Sequence, residues 1–417
     1  MIGKIMRTMS WLLLLPAVTG VFGCSGGSTP AGPITVHFWQ FWEADVVGPI
    51  LTRFEAENPG IKVQMKQLTW QNGREEILAA VAANTAPDLC ELGSTWFGRF
   101  AADGALADIS AETDSLRARL RQWEAAMHNG RVYGVPWVLG TRAVFYNKRL
   151  FREAGLNPDL SPPDTWPRLM EAASKIHKPD AGTYGFGRNS GERYVLFKKF
   201  MPLAWSNGGD VLSADGLQSV FNSTENLEAL KFWLSLKSVS LTERQDQIDQ
   251  AFKQERIGII QSGAWLFKTL PTDAPKLEYG VCRMPRPDGN NRVNRSFGGG
   301  EILVIFKNSP RREAALKLAA FLARGDNALA LCRVAKSVQP AAVGMENDDY
   351  YQANPGERTF VEQLTTAVFP PNDPSWQEME NAVENWVEKA MFEKVTAEKA
   401  LEEADQEIVA LLHARIP

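Results

Sequence analysis

Histidine and cysteine are scarce in this chain, with four of each in 417 residues. The histidines are scattered at His37, His128, His177 and His413, and no CxxC or Cys/His spacing occurs. A zinc cage or a Ser-His-Asp hydrolase has little raw material here, and no metal or other cofactor is expected. No block of lysines and arginines appears, and the formal charge is −4. That balance argues against nucleic acid as a partner. Internal repeats are absent too, as is low-complexity sequence beyond one short Gly/Ser run. The apolar stretch Trp11 to Val18 is only about eight residues long, whereas a membrane-spanning helix needs roughly 20.

What is present begins at the amino terminus. Lys4 and Arg7 precede that apolar stretch, as in a secretory leader that is later removed. Val21-Phe22-Gly23-Cys24 follows and resembles the lipobox of bacterial lipoproteins, in which the cysteine is lipidated and becomes the first mature residue. An ordinary leader with a chance cysteine is the alternative. The expected parts are a signal peptide over 1–23, with its lipobox at 21–24, and a flexible tether over 24–33 built on Ser25-Gly26-Gly27-Ser28-Thr29-Pro30. Cleavage before Cys24 leaves 394 residues, and the loss of Lys4 and Arg7 takes the formal charge from −4 to −6. That length suggests two domains, perhaps three by the usual size of a domain. The membrane is met only through the lipid. Cys90, Cys282 and Cys332 then permit one disulfide at most, with the pair left open.

The body reads as α/β. Ile34 to Phe38 alternates apolar and polar residues, Val46, Ile50 and Phe54 recur at helical spacing, and Ile61 to Met65 alternates again. A strand, a helix and a strand in this order form a parallel unit. Gly73 to Ala83 predicts a further helix, and Pro87 to Leu92 a third strand. Later helices are expected over Glu225 to Leu236, Ile248 to Glu255, Arg311 to Ala323 and the charged stretch from Trp376 to Leu412. Apolar strands are expected at Ile257 to Ile260 and Glu301 to Ile305. In open α/β sheets, ligands lie beyond the carboxyl ends of the strands. That rule singles out Trp39, Trp42 and Glu43 after the first strand, and Ser94, Thr95 and Trp96 after the third. Each aromatic is equally readable as core.

The order of segments resembles the extracellular solute-binding proteins of the maltose-binding and glycerol-phosphate-binding type, over essentially the whole mature chain. The resemblance rests on Phe54 to Val63, Ala86-Pro87-Asp88-Leu89, Gly104 to Ile109, Gly134-Val135-Pro136, Tyr146-Asn147-Lys148 and Pro163 to Trp166. It continues through Gly263-Ala264-Trp265, Tyr279-Gly280-Val281 and Phe297 to Gly300. Each phrase is weak alone, and nine in order are strong. The family implies a two-lobed periplasmic-binding-protein fold of type II, in which two α/β sheets are joined by a three-crossover hinge. Lobe I would hold 34–138 plus 299–324, and lobe II 141–297 plus 327–417. The crossovers would lie near Trp137 to Thr141, Phe297 to Gly300, and Ala323 to Asp326. The glycines at the second suit either a hinge or a close approach of backbone.

The same resemblance implies a ligand held between the lobes. It assigns Trp205, Asn207, Gly208 and Gly209 to a cleft loop, and Trp265 to a ligand-facing turn. Gly299, Gly300 and Glu301 would border the hinge. Arg142 would clamp hydroxyls or a phosphate, or else form a surface ion pair; Arg188 and Arg193 are weaker candidates. A sugar ring offers apolar C–H faces and hydroxyls, which aromatic and planar polar side chains match. The expected function is therefore the substrate-binding lipoprotein of an ABC importer, a monomer that hands a sugar or oligosaccharide to a membrane permease. Competing readings are a non-sugar solute such as glycerol phosphate or a polyol, and ferric ion held by Tyr350 and Tyr351. A glycoside hydrolase using Glu43 and Glu301, or a lipoprotein with no small ligand, would complete the set.

Overall fold

The computed structural model describes residues 32–289 and 292–414. The leader, Cys24 and tether residues 25–31 lie outside the described residues. Strand β1 (Ile34–Gln40), helix α1 (Ala44–Glu57), strand β2 (Ile61–Gln67), helix α2 (Gly73–Ala82), strand β3 (Leu89–Gly93) and helix α3 (Ser94–Ala102) follow in order. Helix α1 buries Val46, Val47, Ile50, Leu51 and Phe54, the stripe its spacing predicts. Asn58 ends it, with its side-chain amide donating to the Phe54 carbonyl at 2.8 Å. β1 pairs in parallel with β2 from Ile34↔Ile61 to Gln40↔Gln67, and with β3 on its other edge. Helices cover both faces. Val36, Phe38, Val46 and Phe54 lie in one core layer, and Phe41, Ile77, Leu92 and Phe97 in the other.

The connection between lobes is a single long strand, Gly134–Asn147, which local sequence presents as two separate phrases. Its first half pairs antiparallel with the return strand Ser296–Ile305, from Gly134↔Val304 to Thr141↔Gly298. Its second half pairs with strand Ile257–Gly263, from Arg142↔Gly263 to Tyr146↔Ile259, and with Tyr279–Cys282. The partner thus changes between Thr141 and Arg142. Beyond that point the second lobe has its own cores, one around Phe186, Phe200, Trp233 and Val383, the other around Phe145, Ile260, Phe267 and Phe360. The charged carboxyl end forms two helices, Trp376–Met391 and Ala397–His413, rather than one continuous stretch. Thr396 caps the second by accepting from the Lys399 amide.

Packing departs from the expected lobe limits in one place. Ala328, Leu331, Cys332, Ala335, Val338 and Ala342 are buried with Val36, Phe54 and Trp137, on the first lobe. Gln339 also pairs with Leu139 of the long strand. Phe360 is buried with Phe145 and Phe267 in the second. We therefore place the third crossover between Met345 and Phe360, rather than near Ala323 to Asp326. A helical continuation that keeps one apolar face carries no mark of which lobe receives it.

The glycines at the second crossover answer close approach. A Cβ on Gly300 would stand 2.5 Å from the Val138 carbonyl oxygen, and one on Gly298 2.7 Å from the Phe369 ring. Neither glycine has a positive φ. Cys90, Cys282 and Cys332 are all buried free thiols, so no pair among them is bridged.

The expected cleft loop at Trp205 is interior. Trp205 is 3 % exposed, meets Phe197 edge-on at 5.9 Å, and donates its indole N–H to Asp210 at 2.9 Å. Asn207 donates to the Glu225 carbonyl and the Glu228 carboxylate, and a Cβ on Gly209 would strike the Asn226 side chain at 2.0 Å. Gly208 takes φ +94°, a left-handed turn that glycine adopts freely. The motif shapes the junction of two helices, Phe197–Ser206 and Thr224–Ser235. Trp205→Ala should therefore cost about 3–5 kcal/mol of stability, as large-to-small core changes do. A urea-unfolding curve that shifts by under about 1 kcal/mol would return Trp205 to the surface of the cleft.

Candidate functional site

Strand ends and the change of partner at Thr141 bring side chains from both lobes together. On the first lobe, β3 runs directly into α3 at Gly93. The Ser94 hydroxyl accepts from the Gly300 amide at 3.2 Å, joining that turn to the return strand. Thr95 is half-buried beside it. Trp96 stands 5.3 Å from Trp70, and Trp70 stacks on Phe41 at 4.2 Å with the rings 17° apart. A Cβ on Gly93 would contact both tryptophans, so the backbone there lies directly under their rings. Trp70 is 49 % exposed and is the open face of this stack. Strand-end reasoning passed over it, although the rule that found Trp96 applies equally to the segment after β2.

One of the expected first-lobe aromatics lies elsewhere. Trp39 sits on the α2 face with the Lys66 ammonium 4.1 Å over its ring. It borders a concavity of about 430 Å3 with Pro87, Asp88 and Phe306. That hollow opens at the start of β3 and the end of the return strand, opposite to Gly93. Side chains alternate along a strand, so Trp39 and its neighbour Phe38 take opposite faces. Trp42 is half-buried and meets Trp137 edge-on at 6.5 Å, with the Gln40 side chain bonded to its backbone. Glu43 is exposed and pairs with Lys268 of helix Leu266–Asp273 at 2.5 Å. That ion pair bridges the lobes at the mouth.

The second lobe contributes a tight polar cluster. The Trp265 ring lies across Gly263, where a Cβ would come within 1.8 Å of it, which explains the glycine of this turn. Its indole donates to Asp249 at 2.8 Å, and Gln245 and Ser262 donate to the other Asp249 oxygen. The Arg142 guanidinium rests 4.8 Å over the same ring and donates to the Thr141 carbonyl at 3.1 Å. Burial pushes Arg142 down to about 10 despite the nearby charges of Glu301 and Asp249. Arg188 and Arg193 stand apart. Arg188 is buried against Thr242, and Arg193 lies over the Tyr194 ring.

Glu301 closes the group from the return strand, at the register shift between Glu301 and Ile302. One of its carboxylate oxygens is buried with no hydrogen-bond partner. Burial raises it to about 8, against the pull of Arg142 and Lys198. Glu91 on β3 lies near it, fully buried, accepting from the Phe41 amide at 2.8 Å and raised well above the carboxylate range by burial. Glu380 is likewise buried, accepts from the Trp376 indole at 2.9 Å, and is raised to about 7 by burial. Gln261, 1 % exposed, has both side-chain amide atoms without a partner. Such unmet buried atoms are what a polar ligand satisfies. No local pattern marks Glu91, Asp249, Gln261 or Glu380, because tertiary pairing alone brings them here.

The tyrosine pair lies on a short helix, Asp349–Ala353. Tyr350 donates to Glu357, and Tyr351 is buried edge-on against it. Among the described residues, no group of three or more His, Cys, Asp or Glu is placed to hold a metal ion.

Two sheets sharing crossover strands, with aromatic and polar groups gathered where they meet, define a two-lobed binding protein. A family model for bacterial extracellular solute-binding proteins matches residues 41–328, and the chain belongs to that family. Maltodextrin-binding protein MdxE of Bacillus subtilis is 25 % identical over 418 residues, covering 95 % of this chain and 94 % of that one. An uncharacterised lipoprotein of Streptomyces antibioticus is 31 % identical over 191 residues, covering 43 % of this chain and 41 % of that one. Among solved structures, a Thermotoga lettingae ABC transporter solute-binding protein bound with alpha-D-tagatose superposes with a TM-score of 0.81. It is 25 % identical, and the match covers 91 % of this chain and all of that one. The family binds solutes and is non-enzymatic, so Glu43 and Glu301 are not a hydrolytic pair.

Two measurements check this geometry. Because Glu301 holds its proton more tightly folded than unfolded, wild-type stability should fall as pH rises from about 5 through about 8. Glu301→Gln should fall less over that window in denaturant titrations, and parallel curves would contradict the burial. Lys268→Glu should weaken ligand affinity roughly two- to five-fold, as an exposed pair allows. The double exchange with Glu43→Lys should restore it; no restoration would mean the pair does not favour closure.

Proposed function

We propose that the chain is the substrate-binding component of an ABC importer that captures a sugar or oligosaccharide between its lobes. The observation that carries the reading is the pairing of ring faces with unmet polar atoms around one crossover. Trp70 and Trp96 stand on the first lobe and Trp265 on the second, with Arg142, Glu301 and Gln261 beside them. Aromatic faces accept the apolar side of a pyranose, while buried carboxylates and amides take its hydroxyls. The sugars named for MdxE and for the Thermotoga lettingae protein agree with that chemistry.

Lobe I then comprises 34–138, 299–324 and the continuation through about Met345, and lobe II holds 141–297 and the remainder. Ligand binding favours the closed arrangement because it touches both lobes at once. The closed surface is what a membrane permease would recognise. Cys24 carries the lipid that holds the protein to the membrane. The lipobox-like sequence supports this, as does the likeness to a Streptomyces lipoprotein over part of the chain.

Thermal unfolding against mono-, di- and oligosaccharides, polyols and glycerol phosphates tests the reading. A ligand at about 100 times its Kd should add roughly 2.7 kcal/mol, a midpoint rise on the order of 5–10 °C for lobes of this size. No rise with any carbohydrate would send the assignment to another solute class.

A further inference from the structure

Three cations converge on the crossover, and none of them forms an ion pair with a carboxylate among the described residues. The Arg142 guanidinium donates to the Thr141 carbonyl and rests over the Trp265 ring. Lys198, the second residue of helix Phe197–Ser206, holds its ammonium 5.1 Å from the centre of the Phe297 ring. Lys199 donates to the Gln261 carbonyl at 2.6 Å. The three feel one another's charge, and burial lowers the proton affinity of each. Elsewhere, cations of this chain pair readily, as Lys253 does with Asp273 and Arg121 with Glu346.

Glu192, Asp249, Glu301, Glu380 and Glu384 act on these cations through space, yet among the described residues none of them makes a direct ion pair with the three. Asp249 is occupied by three donors from its own lobe. Glu384 accepts the Tyr194 and Phe197 amides at the start of the lysine-bearing helix. Glu380 is turned to the Trp376 indole. Burial raises Glu301 to about 8, against the pull of Arg142 and Lys198. Cations held partly out of water without a contacting counter-ion are costly, and a neutral solute would leave them without one. A guanidinium fork beside an ammonium is the arrangement that receives a carboxylate or phosphate.

We propose that the captured solute is a saccharide bearing one anionic group, a carboxylate or a phosphate ester, and that Arg142 and Lys198 receive that group. This rests on the saccharide-binding reading given above. Trp70, Trp96 and Trp265 take the ring, and the anion anchors one end on the second lobe, just past the crossover. The anion would therefore set specificity on the second lobe, while the ring stacked on Trp70 and Trp96 ties the solute to the first.

Calorimetric titration of the mature chain with matched pairs tests this. The pairs are glucuronate against its methyl ester, and glucose 6-phosphate against glucose. One anionic member should bind at least about tenfold more tightly than its neutral partner, the worth of one charge-assisted contact. The pair that shows the preference identifies carboxylate or phosphate as the group. Arg142→Gln and Lys198→Met should each reduce that ratio by about tenfold while the thermal midpoint without ligand stays near wild type. A neutral member that binds as well as its anionic partner overturns the inference and leaves saccharide capture standing. If neither these pairs nor a wider set of neutral oligosaccharides binds, the saccharide reading falls and the inference with it.

Discussion

Strand Gly134–Asn147 hydrogen-bonds to the first sheet over one half of its length and to the second over the other, and the cleft follows from that division. A strand can serve two sheets only if its partners change along it, and here they change between Thr141 and Arg142. The return strand Ser296–Ile305 lies beside it antiparallel, so the second crossover is hydrogen-bonded to the first. Gly298 and Gly300 allow that contact, since a Cβ at either would strike a neighbouring ring or carbonyl. Arg142 on one strand and Glu301 on the other lie on either side of that exchange of partners, close enough for their charges to act on each other.

That placement explains the electrostatics. Groups at the junction lose water without gaining the ion pairs that a single packed core would provide, so carboxylates rise and cations fall in proton affinity together. The polar atoms left unmet at Glu301, Gln261 and Glu380 belong to the same condition. A protein that must open and admit a solute keeps its strongest contacts available for that solute. The exposed Glu43–Lys268 pair is of another kind, a weak bridge at the rim that water screens.

Local pattern was legible where a single element decides the outcome. Alternation at Ile34 to Phe38, the Val46–Ile50–Phe54 stripe and the break at Asn58-Pro59 each lie within a few residues of one another, and the elements stand where they point. Trp96 is marked locally because it lies just past a strand end, Trp265 is marked by the likeness of its phrase to a known family, and the order of such phrases supplied the two lobes. Trp205 and Trp265 differ in a way that no phrase of sequence records. Both tryptophans sit in family phrases, yet one is packed against Phe197 and the other lies under Arg142.

The sequence by itself determined the α/β elements, the parallel first sheet and the family, because these depend on short-range periodicity and on the order of motifs along the chain. Tertiary structure alone decided which aromatics face the cleft, which lobe receives residues 328–342, and which charges meet at the crossover. Arg142, Lys198, Asp249 and Glu301 are separated by scores of residues, and strand pairing is what makes them neighbours. Burial then sets their protonation, a property that no residue carries until its surroundings have formed.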